Sequence, residues 1–477
     1  MNTDDSWPGL DEAEWRVLEI QTKLHQWAND DPGRCFDDLY NLVCDPAFLV
    51  VAWERVRGNK GARSAGIDGV KPRSIVFGAG TLLAGLRGEL KARTFQPLPV
   101  RERMIPKANG KLRGLGIPTA RDRVVQASLK LVLEPILEVD FKPCSYGFRP
   151  RRRTQDAIAE IHFFGSHSYE WVLEADIKAC FDEISHVGIL DRLRKRIGDK
   201  RVLGLVKAFL KAGVLSEDSI VRHPVSGTPQ GGILSPLLAN AALSVLDEHF
   251  AEAWEAFGPS HAREQRRRKG LANYRLVRYA DDWVIMVAGT QADAEHLREE
   301  AAAVLAPMGL RLSEEKTRVV HLDEGFDFLG FRIQRRPKRG TPKLTVYTYP
   351  SKKSLGNIVD KVRTITKQGT NSSLTELLGR LNPVLRGWTN YFRHGVSKAS
   401  FSYLRAFVWH RVVSWLRRKH LHANWKWLRC HYLPGWWPTE GEVKMFDPSA
   451  VTVSRYRYRG DRIPSPWSGQ TTTAQVV

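Results

Sequence analysis

Two adjacent carboxylates, Asp281 and Asp282, sit in the stretch Tyr274-Arg-Leu-Val-Arg-Tyr-Ala-Asp-Asp-Trp-Val-Ile-Met-Val287. Apolar, β-prone residues flank a short polar centre, so the pattern predicts a hairpin with both acids at or beside its tip. Neighbouring carboxylates on a rigid turn repel one another, and a divalent cation turns that repulsion into attraction by offering a hard positive centre to hard oxygen ligands. A plain solvated Asp-Asp turn satisfies the same pattern, because Asp is common in turns. What separates the two readings has to come from the rest of the chain.

A third carboxylate lies upstream, in Trp171-Val-Leu-Glu-Ala-Asp-Ile-Lys-Ala-Cys-Phe-Asp-Glu-Ile184. The apolar run delivers Asp176 to a strand end beside Ile177, where burial is costly unless a partner pairs with the charge. Ser185 is placed to cap the helix that follows. Residues 91–130 form a basic island with ten Lys and Arg against two acids. Within it, Ala108-Asn-Gly-Lys111 predicts a hairpin turn, and Lys107 and Arg113 straddle it. In a two-residue-loop register these cations lie near one another, a geometry suited to a triphosphate; an ordinary charged hairpin face reads the same way. Gly227-Thr-Pro-Gln-Gly-Gly-Ile-Leu-Ser-Pro-Leu-Leu-Ala-Asn240 lets backbone approach a ligand closely, and Gln230 offers an amide to a base or sugar. Taken together, three aspartates, a phosphate grip and a Gly-rich loop describe a nucleotidyl-transfer site. There, two Mg²⁺ ions activate a primer 3′-hydroxyl and carry charge on the leaving pyrophosphate.

The elements that position these residues follow from pattern. The opening sixty residues read as helical, with Trp15, Leu18, Leu24 and Trp27 at near-helical spacing. Tyr146-Gly-Phe-Arg-Pro-Arg-Arg-Arg153 leads into an amphipathic helix through Ala157, Ile158 and Ile161. Ala262 to Gly270 is a basic, exposed insertion before the central hairpin. Phe326 to Ile333 reads as strand, and Arg335-Arg-Pro-Lys-Arg-Gly-Thr-Pro342 as a linker and domain boundary. Beyond it the chain is mainly helical, through Leu374 to Leu385 and Tyr403 to His420. The last stretch, rich in Pro, Gly and Trp, includes Arg455-Tyr-Arg-Tyr-Arg459.

The 477 residues suffice for two to four domains. Five scattered cysteines without a C-x-x-C pair argue against a disulfide framework or a zinc ribbon. No apolar run approaches the roughly 20 residues that cross a bilayer, and acids near the N-terminus disfavour a secretory or transit peptide. A cytoplasmic location and no membrane partner are expected. Net charge is +21, and its placement is uneven: residues 1–330 hold 46 Lys and Arg against 46 Asp and Glu, residues 331–477 hold 27 against 6. Eight of the fifteen tryptophans share that basic third. Charge for phosphates beside flat rings for bases is the makeup of a nucleic-acid partner.

From about residue 35 to 465 the chain resembles the bacterial group II intron-encoded reverse transcriptase and maturase proteins. The resemblance is carried, in order, by Arg113-Gly-Leu-Gly-Ile-Pro118, Tyr146-Gly-Phe-Arg-Pro150, Asp176 through Asp182, Thr228-Pro-Gln-Gly-Gly-Ile-Leu-Ser-Pro236, Tyr279-Ala-Asp-Asp282, Phe328-Leu-Gly-Phe331 and Arg386-Gly-Trp-Thr-Asn-Tyr-Phe392. It implies an α+β fold: right-hand polymerase fingers and palm with an antiparallel palm sheet, then an α-helical thumb and maturase domain. The expected domains are 1–75, a helical extension and the start of the fingers; 76–335, fingers and palm; 343–435, thumb and maturase; and 436–477, a basic tail.

The resemblance also assigns roles. Asp176 and Asp281 would ligate two Mg²⁺ ions, with the Ile177 carbonyl contributing and Asp282 completing the acidic site. Phe181 would be the gate that favours dNTPs over ribonucleotides, or else plain core. Lys107 and Arg113 would contact the triphosphate, and Gln230 the nucleotide or template. Lys316 would protonate pyrophosphate, or else be a solvated lysine. Arg386, Trp388, Asn390, Tyr391 and Arg393 match the maturase signature that grips intron RNA; packing explains Trp388 equally well, and the two arginines suit phosphate better. The implied partners are group II intron RNA, an RNA template with a DNA primer, dNTPs and a DNA target; a homodimer is compatible with the sequence. Residues 430–477 hold one cysteine and no His-Asn-His endonuclease motif, so the expectation is that target-strand nicking is absent and the priming strand comes from elsewhere, such as a replication fork. A retron-type or diversity-generating reverse transcriptase, and a maturase that binds RNA without polymerising, are the alternatives. The residues around Trp388 oppose the first and the aspartate triad opposes the second.

Overall fold

The computed structural model describes residues 7–75, 78–106, 110, 112–216, 221–222, 226–367 and 369–468. The chain opens with helix Leu10–Asp30. Its buried face is Ala13, Val17, Gln21, Leu24 and Ala28, whereas Trp15, Leu18 and Trp27 face outward. The helix is the one the spacing predicts, and of its large residues at helical spacing Leu24 alone lies on the buried face. The small Ala13 and Ala28 let the helix approach helices Pro46–Gly58 and Ala120–Leu137, which a tryptophan would hold away.

The fingers carry a sheet in the order β2-β1-β4-β5, from β1 (Val100–Pro106), β2 (Leu112–Ile117), β4 (Val214–Leu215) and β5 (Val221–Arg222). The palm is a four-stranded sheet in the order β6-β7-β3-β8. It comprises β3 (Trp171–Asp176), β6 (Asn273–Tyr279), β7 (Asp282–Ala288) and β8 (Arg318–His321), all neighbours antiparallel.

Strand alternation sends side chains to two cores. Trp283, Ile285 and Val287 join the larger core, which also contains the buried residues of helices His186–Arg194, Ser235–Ala256 and Gln291–Leu305. Val284, Met286 and Ala288 point the other way, into a core shared with helix Thr154–Gly165. Both faces of the palm are thus covered, so its strands read as near-continuous apolar runs.

A third sheet, β9 (Phe326–Phe328), β10 (Phe331–Pro337) and β11 (Leu344–Pro350), corrects the expected linker. β10 and β11 pair over seven residues, from Phe331↔Pro350 to Pro337↔Leu344. The Pro- and Gly-rich stretch up to Pro342 is therefore the end of a β-hairpin, and the boundary drawn at 343 cuts a sheet. Turn residues punctuate hairpin tips and linkers alike.

Helices Lys352–Lys367, Leu374–Phe392, Lys398–Lys419 and Trp425–Tyr432 follow. Leu374, Leu377, Leu378, Leu381 and Leu385 repeat at helical spacing and are all buried in this bundle. Ser373 and Glu376 close a capping box at the start of that helix. Phe392 joins bundle to sheet: its ring lies 4.8 Å from Phe331 and 4.7 Å from Trp388. Among the described residues no helix is long and apolar enough to cross a membrane.

Residues 439–468 do not hang free as a tail. A short β12–β13 pair (Thr439–Glu440, Val443–Lys444) leads into an extended segment that crosses helix Thr154–Gly165, and the Trp467 indole N–H donates to Gln21 Oε1 at 3.2 Å.

Because Phe392 is 3 % exposed at the junction of sheet and bundle, Phe392→Ala is expected to cost about 3–5 kcal/mol. A urea denaturation midpoint that does not move would refute the junction.

Candidate active site

The carboxylate-bearing turn is built from strand register. β6 and β7 pair up to Tyr279↔Asp282, which leaves Ala280 and Asp281 as a two-residue turn. Asp281 therefore sits at the tip and Asp282 opens β7, as the hairpin pattern predicts. Ala280 has φ +59°, a left-handed conformation that hairpin turns of this length require and that costs a non-glycine residue of order 1 kcal/mol. On the other side β7 pairs with β3, and Asp176 faces Asp282 directly in that register. The Asp176 carbonyl accepts from Ser313 N at 2.8 Å, and Ile177 forms an isolated bridge to Leu312, so the strand end is pinned as the chain leaves the sheet.

Beneath the turn lies a fully buried ion pair. Arg278 and Asp247 are both 0 % exposed, with Arg278 Nε donating to Asp247 Oδ1 at 2.7 Å. The remaining guanidinium donors reach Asn240 Oδ1 at 3.0 Å, Ser145 Oγ at 2.7 Å and the Ala280 carbonyl at 2.8 Å. Asn240 in turn donates to the Gly147 carbonyl at 2.8 Å. A Cβ on Gly147 would overlap the Ala280 backbone nitrogen, so glycine is required for this approach. The Tyr146-Gly-Phe-Arg-Pro motif thus works as the bed of the turn. Arg149 within it pairs with the buried Glu138 at 2.7 Å and does not face the site.

The carboxylates are electrostatically loaded. Asp282 reaches solvent at the cleft mouth, yet protein surrounds the carboxylate on most sides. Desolvation first, then the Asp281 and Asp176 charges, push it up to about 6. Asp281 is raised chiefly by desolvation, with Asp176 adding to it and Arg113 and Lys316 opposing. Lys316 Nζ lies 2.7 Å from Asp176 Oδ2. The cleft of about 440 Å³ is lined by Asp176, Asp282, Glu174, Lys316 and the Phe328–Gly330 turn among others.

Among the described residues no three His, Cys, Asp or Glu side chains already close into a cation cage. Mg²⁺ in phosphoryl-transfer sites is held by one or two carboxylates, with substrate phosphates and water completing its shell. Like-charged, desolvated carboxylates in an open cleft fit that chemistry.

The Gly-rich loop is tied to the segment after β3 and to the fingers. Thr228 N donates to the Phe181 carbonyl at 2.6 Å, and Gln230 Nε2 lies 3.3 Å from Asp182 Oδ2. Gly227 has φ +87°, and a Cβ there would press on the Asp182 carbonyl at 2.6 Å. The loop crosses to the fingers, where Gly116 N donates to the Gln230 carbonyl at 2.8 Å. Phe181 is half-buried against the palm core, so its ring has a packed side as well as an open one.

Arg113 is exposed on β2 opposite Ile105, and five residues, not two, separate β1 from β2. The two-residue register expected for that hairpin is corrected accordingly; Lys107 lies outside the described residues.

Arg386, Trp388, Asn390, Tyr391 and Arg393 stand at the end of helix Leu374–Phe392; none of them lines the cleft, although Tyr391 backs the Phe328–Gly330 turn that does. Trp388 packs on Phe392 and Phe401, and the Tyr391 hydroxyl donates to the Leu329 carbonyl at 2.9 Å. Both seat the bundle on the sheet. Arg386 and Asn390 are exposed, and Arg386 lies 5.4 Å over the Phe446 ring.

The residues that sequence reasoning missed are Arg278, Asp247, Asn240 and Ser145. The signal was present: an arginine inside an apolar strand and an aspartate inside an apolar helix are costly alone, so each calls for the other.

Fingers, palm and a carboxylate-bearing turn define a nucleic-acid polymerase. Residues 105–333 match the family described as reverse transcriptase (RNA-dependent DNA polymerase), and residues 355–433 match the group II intron, maturase-specific domain. The chain is 37% identical to Protein YkfC of Escherichia coli (strain K12) over 359 residues, 71% of this chain and 93% of that protein. It is 33% identical to group II intron-encoded protein LtrA of Lactococcus lactis over 380 residues, 69% of this chain and 61% of LtrA. To the putative COX1/OXI3 intron 1 protein of Saccharomyces cerevisiae it is 26% identical over 397 residues, 75% of this chain and 46% of that protein. The chain therefore spans most of YkfC but only part of the length of the intron-encoded relatives. It belongs to the reverse transcriptases that carry a group II intron maturase domain.

Two expectations follow from this geometry. Arg278→Met leaves the Asp247 carboxylate buried and unpaired, a change expected to cost about 3–5 kcal/mol and to be read as a lowered melting temperature. Gly147→Ala is expected to displace the turn and abolish DNA synthesis while the far-ultraviolet circular dichroism is kept.

A third concerns pH. The Asp282 carboxyl is raised on folding, so the folded chain takes up its proton more readily than the unfolded chain, and the charged form weakens the fold as pH rises from about 4 to 6. In EDTA, Asp282→Asn should therefore melt above wild type at pH 8, with the difference shrinking towards pH 4. A difference that does not depend on pH would contradict the assignment.

Proposed function

We propose that this chain synthesises DNA on an RNA template from a primer and dNTPs, using two Mg²⁺ ions, and that it binds a group II intron RNA to assist its splicing and its insertion into a DNA target. The observation that carries the polymerase reading is the Asp176↔Asp282 register pair beside the Ala280–Asp281 turn. Asp176, Asp281 and Asp282, with the Ile177 carbonyl, would hold the ions. Bound there, the ions would acidify the primer 3′-hydroxyl and neutralise the leaving pyrophosphate.

The chain's own groups do the rest. Arg113 stands on the fingers to meet the triphosphate, and the Gln230 loop supports the nucleotide from below. Lys316 is held within 2.7 Å of Asp176 and can pass a proton to pyrophosphate once cations take its place on that carboxylate. Phe181 would close against the sugar 2′ position. As the 3′-oxygen bonds to the α-phosphorus, the bond to pyrophosphate breaks.

Exposed Arg386 and half-buried Arg393 are the maturase-signature groups open to phosphate. The LtrA name supports an intron RNA as the partner.

Primer extension on poly(rA) with oligo(dT), dTTP and Mg²⁺ tests the reading. Wild type should extend, and Asp281→Asn should lose extension while keeping intron RNA binding. Arg386→Ala with Arg393→Ala should weaken intron binding and spare extension. Equal inactivity of wild type and Asp281→Asn would sink the polymerase claim.

A further inference from the structure

Outside the cleft, the run Arg455-Tyr-Arg-Tyr-Arg459 lies across the outer side of helix Thr154–Gly165. It runs extended, so its side chains alternate. Tyr456 and Tyr458 turn inward: Tyr458 stacks on Phe163 at 4.8 Å and its hydroxyl donates to Glu160 Oε1 at 3.2 Å. Arg459 anchors the run to Asp156 at 2.9 Å. Arg455 and Arg457 are exposed, Arg455 with its Nη2 3.3 Å from His162 Nδ1 on the helix. In an extended chain they stand about 6–7 Å apart, comparable to the spacing of successive phosphates along an extended nucleotide strand.

Between the run and the helix is a groove of about 670 Å³ lined by Phe163, His167, Arg455, Arg457 and Tyr458 among others. Phe163 is 38 % exposed, and the His167 ring lies 4.3 Å from it. Arg267, from the basic insertion helix Ser260–Arg268, reaches the same rim by donating to the His167 carbonyl at 3.0 Å.

Two acids of this face are already engaged, Asp156 by Arg459 and Glu160 by Arg275 at 2.8 Å. Asp461 acts on Tyr458 from the far end of the run. Among the described residues, Arg455 and Arg457 make no ion pair with a carboxylate.

We infer that this groove is a binding surface for single-stranded RNA, with phosphates on Arg455, Arg457 and Arg267 and a base packed against the exposed part of the ring stack formed by Tyr458, Phe163 and His167. Paired cations beside an exposed aromatic ring are what a strand with accessible bases requires, and a duplex hides its base faces. The inference rests on the maturase reading, which brings a structured RNA with unpaired loops to this chain. The groove shares no lining residue with the cleft that holds Asp176 and Asp282, so the surface is separate from the site of synthesis.

The test uses the full chain with its cleft filled by saturating primer–template duplex, and a 5-iodouridine-labelled single-stranded RNA 20-mer as probe. Crosslinks should map to Phe163 or Tyr458. Arg455→Gln with Arg457→Gln should reduce crosslinking at least fivefold and make the log–log salt dependence of binding shallower by about 1.4, two phosphate contacts on a single strand. Primer extension should stay within twofold. Arg457→Gln alone, at a residue with no ion pair to lose, should show a smaller loss that Arg457→Lys restores, which separates binding from misfolding.

Unchanged crosslinking and salt dependence in the double variant would overturn the proposal. So would crosslinks elsewhere only, or capture of a DNA 20-mer or anionic lipid vesicles in place of RNA. Failure of wild type to promote intron splicing would instead count against the maturase reading, since the oligonucleotide assay reads the groove directly.

Discussion

The buried pair of Arg278 and Asp247 sets the terms for everything around it. A guanidinium with no solvent exposure must satisfy every donor from protein, and here the donors go to a helix, a loop and the carbonyl of the turn residue itself. Such a pair adds little net stability over a well-packed apolar substitute, because desolvation offsets the attraction. What it supplies is position. Three separate stretches of sequence can satisfy one guanidinium in only one arrangement, and that arrangement holds Ala280 in a conformation it would not choose alone.

Fixing the turn matters because the carboxylates above it are mutually repulsive. Left to relax, Asp176, Asp281 and Asp282 would move apart or take up protons. The rigid β3–β7 register and the buried pair keep them close, and Lys316 partly neutralises the repulsion. The fold thus stores unfavourable electrostatics at the one place where incoming positive charge relieves it. The cleft is open and incomplete by design of its donors, in keeping with ions that arrive with substrate phosphates.

Much of this was legible in the sequence, and the limits are instructive. The hairpin tip at Asp281, the strand end at Asp176 and the Ser185 cap, which accepts from Gly188 N at 3.2 Å, all follow from local rules about pleat, turn and cap. The failures come where a local signal has two structural meanings. Pro and Gly at 337–342 punctuate a linker or a hairpin tip equally, and only the pairing of β10 with β11 decides between them. The spacing of Trp15, Leu18 and Trp27 gave a helix without saying which face is buried, and close packing selected the alanines. In the maturase signature Trp388 takes the packing role that the sequence left open, and Tyr391 ties the bundle to the sheet. The Arg278–Asp247 pair spans 31 residues, and no local pattern couples its two ends.

Trp467 has a consequence for how the molecule is made. Gln21 gives its amide hydrogens to the Leu131 carbonyl at 2.6 Å, while its oxygen accepts from an indole 446 residues further on. During synthesis the first helix can dock on its neighbours as soon as they emerge, but half of Gln21 must rely on water until the last segment leaves the ribosome. Closing a loop of that length costs entropy that grows only slowly with size, so the contact is late without being prohibitively unfavourable. The N-terminal helix therefore gains this last hydrogen-bond partner only in a chain translated at least as far as Trp467.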